Sequence, residues 1–275
     1  MALLTLRDVT IAFGGPPLLD RAALAVERGE RVCLVGRNGT GKSTLLQLLD
    51  GTLAPDAGEV VRQGGATVAR LEQDIPDALA GTIYDVVAQG LGETGRLLAR
   101  YHHASHRVAV EGSDAALKEL DRMHHALDAA DAWAVQSRVE TVLGHLALDP
   151  DAPFADASGG RKRQALLARA LVREPDVLLL DEPTNHLDVA AIEWMEGFLI
   201  ERGLTLLFVT HDRAFLRRVA TRIVELDRGR LADWGADYDT YLERKAAALD
   251  AEAKQRAEFE RKLAAEERWV GTSIT

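Results

Sequence analysis

Gly36-Arg37-Asn38-Gly39-Thr40-Gly41-Lys42-Ser43-Thr44 carries the spacing G-x4-G-K-[ST], a pattern suited to holding phosphate. Glycines at 36, 39 and 41 let the backbone wrap closely, so that its N–H groups converge on an anion at a helix N-terminus. Lys42 supplies a point charge for β- and γ-phosphates, and the Ser43 hydroxyl is placed to reach a magnesium ion. Further on, Val177-Leu178-Leu179-Leu180-Asp181 is an apolar run that ends in a carboxylate. A buried charge there is costly unless it meets a cation, so Asp181 is a second candidate ligand for Mg²⁺, through water. Glu182 follows directly and projects to a different side, which makes it the candidate general base that orients an attacking water.

These groups need a strand in front of the glycine loop and a helix behind it. Arg31 to Val35 reads as an apolar strand running into the loop, and Lys42 to about Asp50 as the helix, ended by Gly51. Residues 3–13 alternate apolar and polar as a half-buried strand should; Gly14-Gly15-Pro16-Pro17 then marks a turn, and Leu24 to Val26 another strand. Between Thr82 and Ala157 the composition turns helical. A break at Gly112-Ser113-Asp114 predicts a hairpin of two helices over 96–110 and 114–131, followed by a helix over 133–146. Gly160 to Arg173 has helical apolar spacing, stopped before Pro175. Val177–Leu180 and Thr205–Val209 read as fully buried parallel strands, and 222–231 as a closing hairpin. From Asp239 to about Val270 alanine interleaved with Glu, Lys and Arg predicts a long solvated helix.

Bulk composition bounds the rest. A chain of 275 residues with 47% apolar content can bury a large core. Its single cysteine, Cys33, excludes an intrachain disulfide and lies in an apolar run, where a buried structural thiol is expected. No segment approaches the ~18 uninterrupted apolar residues of a membrane helix, and Arg7 and Asp8 interrupt any export signal; the expectation is a soluble, cytoplasmic protein. With a net charge of −10, a general grip on nucleic-acid phosphates would need a local basic face.

The order of the glycine loop, Gln73, Ser158-Gly159-Gly160, Asp181-Glu182, Asp188 and His211 resembles the ATP-binding-cassette (ABC) ATPases over residues 1 to about 235. The resemblance implies an α/β P-loop NTPase fold: a parallel core sheet, an antiparallel β subdomain and a helical subdomain with an arm insertion. It further implies that two cassettes sandwich ATP and Mg²⁺. Phe13 would stack on adenine, although plain core packing competes, since Phe13 ends an apolar strand. Gln73 would touch Mg²⁺ and water, and His211 the γ-phosphate. Ser158, Gly159 and Gly160 would act on the partner cassette's ATP, and Asp188 would link the two sites. Ala157 and the Arg161-Lys162-Arg163 run depart from the pattern of many transporter cassettes, without removing a group that the chemistry needs.

Glu182-Pro183-Thr184-Asn185-His186-Leu187-Asp188, Arg163 five residues after Ser158, the long Gln73-to-Ser158 interval and the charged segment after Asp239 resemble the ABC-F class. Residues 220–229 and 235–241 look like its Uup branch. That implies a cassette over 1–240, with a helical subdomain over about 77–175 and an arm over about 94–140, and the start of an interdomain linker over 241–275. The same resemblance implies the N-terminal half of a two-cassette ATPase, feeble alone, with the ribosome as partner; a half-size protein that pairs with another copy is the alternative. DNA transactions or a transporter subunit stand as alternatives, and so does a module that binds ATP without turnover. The arm is no basic patch: over 96–140 it holds six Lys or Arg against seven Asp or Glu. His102 and His106 have a spacing that can chelate zinc, but with no cysteine or matched carboxylate set they are read as surface histidines.

Overall fold

The computed structural model describes residues 2–71, 79–185, 187–235 and 237–248, together with 250, 251, 254, 256 and 261. Its elements in chain order are β1 (Ala2–Ile11), β2 (Leu19–Glu27), β3 (Arg31–Val35), α1 (Lys42–Asp50), β4 (Ala57–Arg62) and β5 (Val68–Leu71). Helices α2 (Ile83–Ala88), α3 (Gly92–Glu111), α4 (Asp114–Ala129), α5 (Trp133–His145) and α6 (Gly159–Leu171) follow. The chain then alternates through β6 (Val177–Asp181), α7 (Val189–Glu201), β7 (Thr205–Val209), α8 (Arg213–Val219), β8 (Arg222–Asp227) and β9 (Arg230–Asp233).

A six-stranded sheet in the order β5-β6-β7-β3-β8-β9 forms the centre, parallel except for the antiparallel β9. Its inner strands β6 and β7 are buried along their whole length, which is why Val177–Leu180 and Thr205–Val209 read as continuous apolar runs. A second, antiparallel sheet in the order β2-β1-β4 packs beside it. One apolar cluster joins β1 and β2 to α1 and one face of the central sheet; the other joins the opposite face to α2, α5, α6, α7 and α8.

Several boundaries follow from local chemistry. Gly51 ends α1 with left-handed backbone (φ 78°), and its N–H bonds Leu48 O. Ser113 caps α4 by accepting from the Ala116 N–H, which turns the predicted break into a sharp hairpin. Strand β2 begins well before the predicted Leu24, because its outer half pairs with β1 as far as Ile11↔Leu19. Strands β4 and β5 were not legible: β4 is mostly exposed and β5 has four residues.

The predicted C-terminal helix is present over 238–248. Tyr238 and Tyr241 are buried against the body, Arg217 pairs with Asp239 at 2.9 Å, and Lys245 pairs with Glu225. Its first turns are thus docked rather than solvated all round. The rest of the segment to 275 lies almost wholly outside the described residues.

Candidate nucleotide site

Strand β3 and helix α1 hold the glycine loop between them. Gly39 and Gly41 adopt left-handed backbone (φ 80° and 105°), and a Cβ on Gly36 would lie 2.5 Å from the Leu226 carbonyl oxygen. Only glycine fits that approach. Gly41 is also the N-cap of α1 and offers no side chain to it, so the first-turn N–H groups are left for an anion. The Lys42 ammonium lies across the loop and donates to Gly36 O at 2.8 Å and Arg37 O at 2.9 Å. Arg37 O also accepts from Thr40 Oγ1 at 2.9 Å. Burial pulls the Lys42 pKa down, while the nearby Glu182 and Asp181 oppose the shift.

A cleft of ≈ 440 Å³ opens at this loop. Asn38, Gly39, Gly41, Lys42, Ser43 and Thr44 form one wall; Asp181, Glu182, Asn185 and His211 form the other, and Leu18 and Val209 also contribute. The register Asp181↔Val209 between β6 and β7 brings Glu182 beside His211. Glu182 Oε2 accepts from the His211 backbone N–H at 3.2 Å, and Oε1 lies 3.4 Å from His211 Nε2. Glu182 is 7% exposed and sits at φ 47°, a conformation that strains a non-glycine residue. Burial raises its pKa above the ordinary glutamate range, against the opposing pull of the His211 N–H. Burial likewise raises the pKa of Cys33, with the Glu182 charge adding to the shift. The Cys33 thiol is buried, as its apolar run predicts.

The candidates assigned to a partner cassette lie elsewhere. Ser158 is exposed and caps α6 through the Arg161 N–H; Gly159 and Gly160 are that helix's first residues. Asp188 is exposed and caps α7, accepting from Ala191 N at 2.8 Å. Leu187 joins the two motifs, its Cδ2 3.8 Å from a Cβ built on Gly160. None of these lines the cleft of its own chain.

The structure places three further residues. Arg163, expected to act with the signature residues, is 2% exposed on α6, unlike the exposed Ser158 and Gly159. Phe13 is 67% exposed, which removes the core-packing alternative; it does not line the cleft either. His102 is no free surface histidine: its ring stacks on Tyr84 at 4.0 Å and its Nε2 meets Asp151 Oδ1 at 3.0 Å. Gln73 and His186 lie outside the described residues. The sequence reading missed Leu18, which packs against Gly41, and Asn185 in the cleft wall. It also missed Arg70, whose Nη2 lies 3.8 Å from Asp181 Oδ2. A single cation inside the run Val68–Leu71 just ahead of Gln73 was the available signal.

The family model described as ABC transporter matches residues 19–185, a span that holds the loop, the signature segment and Asp181-Glu182. The chain belongs to the ATP-binding-cassette family. This cassette is 47% identical over 274 residues to the ATP-binding protein Uup of Escherichia coli (strain K12), matching 100% of this chain and 43% of that protein. It is 37% identical over 267 residues to the energy-dependent translational throttle protein EttA of Mycobacterium tuberculosis, matching 97% of this chain and 48% of that one. The chain thus spans less than half the length of these curated relatives. The resemblance to the ABC-F class and its Uup branch holds. A nucleotide-free ATP-binding cassette from an ABC transporter superposes with a TM-score of 0.67 at 19% identity, covering 88% of this chain and 94% of that one, and shows the shared fold. Among the described residues no helix is long and apolar enough to cross a membrane.

Proposed function

We propose that this cassette hydrolyses ATP as part of a cytoplasmic ABC-F protein, closing on a second cassette across shared nucleotide to drive a step of translation on the ribosome. The carrying observation is the split of the machinery. The phosphate loop faces Glu182 and His211 across one cleft, while Ser158, Gly159 and Asp188 stand exposed and away from it. The exposed N-terminal tip of α6 fits a role on another cassette's nucleotide. That cassette is another part of a longer chain or another copy. In this reading residues 1–240 form the cassette, with the arm at about 94–140, and 241–275 begin the linker.

The loop and the α1 N-terminus cradle the phosphates, with Lys42 released from the loop carbonyls to the β- and γ-phosphates. Ser43 and Asp181 face the same cleft and offer oxygen donors, the set that suits magnesium; Gln73 is the third proposed ligand. Magnesium neutralises charge on the transferring phosphoryl group when bound. Glu182 takes the proton of the attacking water, and its raised pKa makes it a stronger base for that step. His211, fixed beside it, contacts the γ-phosphate. Phe13, exposed ahead of the loop, is free to stack on adenine.

The translation partner is supported by similarity to EttA, whose name states a translational role. The test pairs the chain with the second cassette and uses Glu182→Gln to hold ATP. Co-sedimentation with ribosomes in ATP but not ADP is expected. Retention on duplex or branched DNA, or on membranes, in place of ribosomes would overturn the partner. Unchanged turnover in Glu182→Gln would overturn the mechanism.

A further inference from the structure

Arg70 is shared between two carboxylates. Its Nη1 lies 3.0 Å from Asp50 Oδ2, and its Nη2 lies 3.8 Å from Asp181 Oδ2, with side chains 13%, 11% and 4% exposed respectively. The first contact is a full ionic hydrogen bond; the second falls outside hydrogen-bond range. Asp50 is firmly held on its other side, where Oδ1 accepts from Thr52 N at 2.8 Å and from Thr52 Oγ1 at 2.6 Å. As the last residue of α1 it faces the negative end of that helix's dipole. Arg70 and Thr52 are therefore what keep its charge in place.

We propose that Asp50 is a positioning residue for Asp181, acting through Arg70. By drawing the guanidinium onto itself, Asp50 keeps Arg70 from closing on Asp181 and leaves that carboxylate to a divalent cation. The inference rests on the reading of the cleft as a magnesium–nucleotide site. Its physical basis is competition. A guanidinium and Mg²⁺ seek the same carboxylate oxygens, and arginine forks onto a free carboxylate with two parallel bonds. In a buried setting the attraction steepens as the gap shortens. The gap of 3.8 Å is therefore maintained by the nearer acid.

The opposite signs of two substitutions make the idea testable in the full chain. Asp50→Asn frees Arg70 to close on Asp181, and Arg70→Met removes the competitor. The measurement is direct binding of a fluorescent ATP analogue titrated with Mg²⁺, repeated in EDTA, with Mn²⁺ binding followed by paramagnetic resonance. Asp50→Asn should raise the Mg²⁺ midpoint roughly ten-fold, the scale on which outer partners act on a metal ligand, and leave metal-free nucleotide affinity within about two-fold. The double variant Asp50→Asn/Arg70→Met should return the midpoint to within about three-fold of wild type, a cancellation that structural damage does not produce.

Thr52→Ala, which loosens Asp50 without removing its charge, should shift the midpoint the same way by less, and it serves if Asp50→Asn fails to fold. An unshifted midpoint in whichever of these folds, or a double variant no better than the single, overturns the proposal. Wild-type protein that binds no nucleotide with or without Mg²⁺ overturns the site reading and this inference with it.

Discussion

Alanine at each of the three loop glycines should cost different amounts, because the same added methyl meets three different surroundings. At Gly39 (φ 80°) a Cβ meets nothing within 4 Å, so only the left-handed backbone is penalised, about 1–2 kcal/mol. At Gly41 (φ 105°) the Cβ would also sit 2.7 Å from Leu18 Cγ and 2.9 Å from its Cδ2. That overlap adds about 1–3 kcal/mol for overpacking, for a sum of about 2–5 kcal/mol. Leu18 is a side chain and can be cut back. Gly41→Ala/Leu18→Ala should therefore recover the overlap but keep the backbone penalty. At Gly36 the clash is with the Leu226 backbone carbonyl at 2.5 Å, with Thr40 Oγ1 at 3.1 Å. No side-chain truncation relieves the first, so the cost should reach about 3 kcal/mol or more.

Urea unfolding of the nucleotide-free variants measures the stability order. Affinity for a fluorescent ATP analogue should fall in the same order, since the loop N–H groups move with the backbone. The reasoning fails if Gly36→Ala is as stable as Gly39→Ala, or if the Leu18 truncation rescues nothing at Gly41.

Other outcomes follow from the same geometry. Glu182→Gln should cut turnover about 10²- to 10⁴-fold while nucleotide binding persists, as single-turnover and binding assays will show. The folded pKa of Glu182 lies above its unfolded value. Its favourable contribution to stability is thus present below the unfolded pKa and fades as pH rises through the raised one. Glu182→Gln should therefore melt higher than wild type near neutral pH without nucleotide. In wild type the acid limb of the pH–rate profile should lie above the ordinary glutamate range, because a protonated Glu182 cannot accept from water; an acid limb at ordinary glutamate pH would refute the assignment. Ser158→Asp keeps a helix-capping oxygen but places a charge toward a neighbour's phosphates, so melting should hold while turnover of the assembled pair collapses. Arg163→Met should instead destabilise the fold by about 1–3 kcal/mol in urea, since it removes a buried polar group together with the interaction that group makes.

The loop, α1, the acid-tipped β6 and the hairpin break at Gly112-Ser113 were legible because each depends on neighbours a few residues away. Glycine spacing, an apolar run and a capping serine state their geometry locally. The pairing of Glu182 with His211 was half legible: both residues stood out, but their contact comes from the β6–β7 register. Strands β4 and β5 escaped notice since one is exposed and the other too short to carry a period.

From the sequence alone came the phosphate chemistry and the family resemblance, because spacing along the chain dictates which backbone shapes and side-chain types meet an anion. Only the tertiary structure decided that Ser158 and Asp188 are exposed, that Arg163 is buried, that Phe13 lies outside the core, and that Arg70 stands between Asp50 and Asp181. Burial and electrostatic environment are sums over atoms brought together from distant parts of the chain, and no local pattern encodes those sums.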